Sequence, residues 1–143
     1  MLKVLLIEDN QDDIHLMLHS FRRHKFTNDI TVVMDGEEAL RYLEQSREQE
    51  GVPGLILLDL KLPKVSGMEI LERIKGDAVF KRIPVVVLTS SAEEKDVENS
   101  YRLGANSYIV KPVDFKKFVE TVRMLGFYWL LLNKPPSPGD GLE

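Results

Sequence analysis

The 143-residue chain has no cysteine, so neither disulfides nor thiolate metal centres are open to it, and a reducing compartment suits it. Long apolar runs are missing too. The longest near the C-terminus, Phe127 to Leu132, is far short of a membrane-spanning helix. The opening MLKVLLIEDN turns acidic too early for a secretory leader, so the expectation is a soluble, cytoplasmic protein. Basic residues are in the minority, 19 Lys and Arg against 23 Asp and Glu. The resulting net charge of −4 weighs against nucleic acid or an anionic membrane as the main partner. The glycines form neither a G-x-G-x-x-G nor a Walker pattern, which leaves nucleotide binding without support. No internal repeat is present, and the length is that of one ordinary domain.

What the chain does have is a series of short apolar, β-branched runs, at residues 2–7, 30–33, 55–58, 85–88 and 107–110. Helical spacing fills the intervals. Ile14, Met17, Leu18 and Phe21 make an i, i+3, i+4, i+7 stripe, and a second helix opens at Asp35-Gly36-Glu37-Glu38. A third is predicted over 68–75 with Gly76 as its stop, a polar fourth over 93–103, and a fifth from about 114 to 132. The stretch Ser46 to Gly51 is read as an extension following the second helix. Strands alternating with helices predict an α/β fold, a parallel sheet between two helix layers. Strands covered on both faces read as unbroken apolar runs, as LILL does at 55–58.

Such sheets bind ligands beyond the carboxyl ends of their strands. The residues there are Glu8 and Asp9 after the first run, Asp59 after the third, Thr89-Ser90 after the fourth and Lys111-Pro112 after the fifth. Crowded carboxylates raise one another's pKa unless a cation compensates, and Mg²⁺ is the hard ion suited to carboxylates, water and phosphate oxygens. The set fits phosphoryl transfer to a carboxylate, with Asp59 as nucleophile and Thr89 and Lys111 meeting the phosphoryl oxygens. Pro63 and Gly67 shape the following loop and free the Lys61 carbonyl for the metal.

These residues carry a resemblance. Glu8-Asp9, the D-x-x-x-P-x-x-x-G spacing from Asp59 through Pro63 to Gly67, Thr89-Ser90, Gly104-Ala105, and Tyr108 ahead of Lys111-Pro112 resemble the receiver domain of two-component response regulators. The resemblance, which covers roughly residues 2–125, implies a flavodoxin-like (βα)5 receiver with strand order 2-1-3-4-5, assigned to residues 1–133, and the Pro- and Gly-rich residues 134–143 read as a disordered tail. It further implies that Asp59 accepts a phosphoryl group from a sensor histidine kinase. Mg²⁺ is then bound by Glu8, Asp9, Asp59 and the Lys61 carbonyl. Thr89 and Tyr108 act as switch residues, Lys111 pairs with the phosphoryl group, and the Lys111–Pro112 peptide is cis. Glu8 departs from the aspartate common in the family, which changes reach and not charge.

Plainer readings apply elsewhere. Asp12 and Asp13 are assigned to the helix dipole, and His15 and His19, at i, i+4 without a third ligand, to solvated positions, with His24 likewise. Phe115, Phe118, Val122, Leu125, Trp129 and Leu132 form a seam, but Phe127, Tyr128, Leu130 and Leu131 make the last turns apolar all round. That predicts a homodimer through the C-terminal helix, which a monomer in sedimentation at high micromolar concentration would contradict. Asp9 and Asp59 stand 50 residues apart, and this lengthened first half is similar to the small regulators of bacterial phytochrome-type kinases. The rival functions are a phosphorylation-independent binding module and an aspartate-nucleophile phosphatase. The second would need an acid two residues after Asp59, where Lys61 stands.

Overall fold

The computed structural model describes residues 3–23, 29–48 and 51–124, and each apolar run appears in it as a strand. The order along the chain is β1 (Lys3–Ile7), α1 (Gln11–Arg23), β2 (Asp29–Val33), α2 (Gly36–Glu48), β3 (Leu55–Leu58), α3 (Gly67–Lys75), a 3₁₀ turn (Phe80–Arg82), β4 (Val85–Thr89), α4 (Glu94–Arg102), β5 (Ser107–Val110) and α5 (Phe115–Met124). All pairings are parallel and the sheet runs β2-β1-β3-β4-β5, the predicted order.

Alternation along the strands divides their side chains between two cores. On one face Leu5, Ile7, Ile56, Leu58, Val85 and Val87 pack with Ala39 and Leu43 of α2 and Ile70, Leu71 and Ile74 of α3. On the other, Val4, Leu6, Leu55, Leu57, Val86 and Leu88 meet Met17 and Phe21 of α1 and Phe118 of α5. Every side chain of β3 is fully buried. At about 1.5–3 kcal/mol for each buried aliphatic side chain, this central strand is firmly held, and the residue that follows it inherits a fixed position.

The helix ends follow local chemistry. The Asn10 side chain accepts from the Asp13 N–H at 2.9 Å and caps α1, while Asp35 accepts from the Glu38 N–H and Glu38 reaches back to the Met34 N–H. Ser66 caps α3, a role not read from the sequence, and Gly76 closes it as predicted. α4 buries only Ser100, in keeping with its polar sequence.

One expectation needs correction, and one element is new. Ser46 does not follow the second helix but lies within it: α2 runs on to Glu48, with the Ser46 hydroxyl buried and donating to the Leu43 carbonyl at 2.6 Å. The 3₁₀ turn before β4 was not anticipated. It is built on Asp77, whose carboxylate accepts from the Val79 and Phe80 N–H groups, and on the buried Phe80 ring, beneath the Arg47 guanidinium. His24, the apolar stretch 127–132 with the dimer contact inferred from it, and the tail 134–143 lie outside the described residues.

Candidate phosphoryl and metal site

Glu8, Asp59 and Lys111 each sit just past the end of a strand, with a backbone that prolongs the sheet. The Glu8 N–H donates to the Val33 carbonyl, Asp59 N–H to Ile7 and Lys111 N–H to Thr89, at 3.0, 3.0 and 2.8 Å. The side chains are therefore carried by hydrogen-bonded scaffold, not by free loops. From behind, α3 presses on Asp59 through Gly67. A Cβ on that glycine would stand 2.3 Å from the Asp59 carbonyl oxygen and 2.5 Å from the Leu60 Cα, so the position admits no side chain. Lys64, at φ 70°, turns the intervening loop in the left-handed region.

Three acids converge. Glu8, Asp9 and Asp59 each offer a carboxylate oxygen, and these oxygens lie within 4.8 Å of one another, the one such cluster of potential metal ligands among the described residues. Glu8 and Asp59 are buried and Asp9 is more open. Hard oxygen donors at this spacing fit a divalent cation of the Mg²⁺ or Mn²⁺ kind. The Lys61 N–H donates to Asp59 Oδ1 at 3.2 Å, which brings that residue's backbone to the acid.

Lys111 supplies the compensating charge. Its ammonium donates to Glu8 Oε1 at 2.5 Å, Asp13 Oδ2 at 2.8 Å and Asp59 Oδ2 at 3.2 Å. Burial pushes the Glu8 carboxyl up to about 7, with Lys111 pulling it down and neighbouring Asp59 pushing it further up. Burial works against the lysine's charge, yet its bonds to Asp13 and Glu8 hold it above the ordinary lysine range. The Lys111–Pro112 peptide is cis.

Thr89 and Tyr108 meet a different neighbour. The buried Thr89 hydroxyl accepts from the Ser91 N–H at 3.3 Å, and the Tyr108 hydroxyl donates to the Ser91 carbonyl at 2.8 Å. Ser91 in turn donates to Asp96 at 2.6 Å and accepts from the Glu93 N–H. The loop between β4 and α4 is thus strung on one serine that sequence reasoning passed over in favour of the exposed Ser90. Asp13 was also missed. Its helix-dipole reading was sufficient in itself, and only the folded position of Lys111, 98 residues away, reveals its second partner. His15 and His19 are exposed, as read.

Residues 4–123 match the family model for the response regulator receiver domain. Over 139 residues the chain is 42% identical to the probable methanogenesis regulatory protein FilR2 of Methanothrix harundinacea, covering 94% of this chain and 88% of that one. It is 40% identical over 129 residues to response regulator Rcp1 of Synechocystis sp., covering 89% and 88%. The structure of the Mn(2+)-bound form of Rcp1 superimposes with a TM-score of 0.76 over 96% of this chain and all of that one, at 36% identity. The bacteriophytochrome response regulator RtBRR superimposes with a TM-score of 0.82 over 98% of this chain and 87% of its own, at 49% identity.

Proposed function

The chain belongs to the response regulator receiver family of two-component signalling, and from that premise we propose that Asp59 is its phosphoacceptor. The observation that carries this reading is the convergence on one buried carboxylate: Lys111 on one oxygen, the Lys61 N–H on the other, and Glu8 and Asp9 alongside. A histidine kinase is the partner in general. A phytochrome-type kinase is the specific proposal, supported by the likeness to RtBRR.

In the proposed step an Asp59 oxygen attacks the phosphorus of a phosphohistidine. The P–O bond forms as the P–N bond breaks, and the imidazole nitrogen departs with its electron pair. Attack through Oδ2, the oxygen facing Lys111, leaves the new phosphoryl oxygens beside the ammonium. The Lys61 N–H holds the other oxygen and fixes the carboxylate plane. Glu8, Asp9 and Asp59 would hold a divalent cation, proposed to be Mg²⁺, which neutralises charge on the transferring group. Thr89 and Tyr108, joined through Ser91, are the proposed route from the site to the exposed face of α4.

The phosphatase alternative wants a general acid at position 61, and the lysine there does not serve. Intact-mass measurement after incubation with acetyl phosphate tests the reading. One phosphoryl group is expected with Mg²⁺ present and none with the metal chelated. Uptake indifferent to the metal would contradict it.

A further inference from the structure

The three carboxylates on Lys111 take up all three N–H donors of its ammonium. Two of them, Glu8 and Asp59, belong to the cluster that suits a metal, and Asp13 does not. It reaches the lysine from the first turn of α1, whose start is fixed by the Asn10 cap on its own N–H. Its side chain is 34% exposed, against 14% for Lys111, so the contact joins a solvent-facing acid to a mostly covered base.

We propose that Asp13 is a positioning residue that restrains Lys111, holding the ammonium at the α1 edge of the site and competing for it with the incoming phosphoryl group. This rests on the assignment of Asp59 as phosphoacceptor. A phosphoryl group brings strong acceptor oxygens, and a lysine with every donor engaged meets them only by giving up an acceptor it already has. Metal binding draws on Glu8 and phosphorylation changes Asp59. Asp13 is drawn on by neither, so its hold persists through the reaction and slows it. A neutral side chain of the same shape weakens that hold without casting the lysine loose, because an asparagine carbonyl oxygen still accepts from the ammonium.

Initial rates of phosphorylation by acetyl phosphate at saturating Mg²⁺ test the proposal. The proteins compared are the wild type, Asp13→Asn, Asp13→Glu, Lys111→Met, and the Asp13→Asn change made on Lys111→Met. Asp13→Asn is expected to be faster by about three- to tenfold, the scale of one weakened charge-assisted hydrogen bond. Asp13→Glu restores the slow rate, and the asparagine brings no acceleration once Lys111 is gone. Calorimetric titration with Mg²⁺ is expected to leave Asp13→Asn within about threefold of wild type, while Asp9→Asn, a candidate ligand, weakens binding tenfold or more, roughly. An unchanged or slower rate in Asp13→Asn overturns the restraint, and equal acceleration with and without Lys111 overturns the lysine as its route. If the wild type takes up no phosphoryl group, the premise falls and the proposal with it, a result distinct from a phosphorylated protein that Asp13→Asn fails to accelerate.

Discussion

Lys111→Met is expected to lower stability by about 2–4 kcal/mol near neutral pH, with the deficit growing as pH rises. Methionine keeps an unbranched apolar stem and removes the charge together with its three N–H donors. Glu8, 2% exposed, then faces Asp59 with no cation between them. Breaking a buried pair by deleting one partner usually costs about 3–5 kcal/mol, and the access of Asp13 and Asp9 to water lowers the figure here. Glu8 sets the pH dependence. Its carboxyl is raised to about 7, chiefly by burial, and Lys111 is what limits the rise. A carboxyl raised on folding contributes stability that is fully present below its unfolded value, near 4.5, and lost as pH climbs through the folded one. Without the ammonium the folded value moves higher, so the loss at high pH deepens. Urea midpoints in chelator, compared at about pH 5 and about pH 8, check this. A variant as stable as the wild type at the higher pH would show that Lys111 does not compensate these acids.

Asp59→Asn is expected to abolish phosphorylation, dropping labelling at least about a hundredfold, because an amide oxygen lacks the charge to act as nucleophile. Folding is not expected to suffer. Asparagine has nearly the same volume, its carbonyl oxygen still accepts from the Lys61 N–H, and one of several crowded negative charges disappears. A urea midpoint at or above that of the wild type, together with loss of label, separates lost chemistry from lost structure. Wild-type labelling in the folded variant would move the acceptor elsewhere.

Much of this was legible in the residues. LILL at 55–58 is buried on both sides, so an unbroken apolar run named a central parallel strand, and the charged residue next in line fell at the sheet's ligand-binding edge. The same logic found Glu8, Asp9 and Lys111, whose positions depend on strand ends alone. Asp13 escaped because the helix dipole explained it sufficiently, and Ser91 because the strand-end logic stops at Thr89-Ser90, the residues directly at the strand end. Their further partners, Lys111 and Tyr108, arrive from β5 and lie 98 and 17 positions away. The end of α2 escaped for the opposite reason. Ser46 reads as part of an extension after the helix, but its hydroxyl is satisfied within the helix, by the Leu43 carbonyl.

Borohydride reduction of the acetyl-phosphate-treated protein converts an aspartyl phosphate to homoserine, and peptide sequencing then locates it. Homoserine at position 59 alone, formed only when Mg²⁺ was present during phosphorylation, is the expected result. Homoserine at position 9 or 13, or a label on Thr89 that resists reduction, would contradict the assignment of Asp59 as the group that takes the phosphoryl.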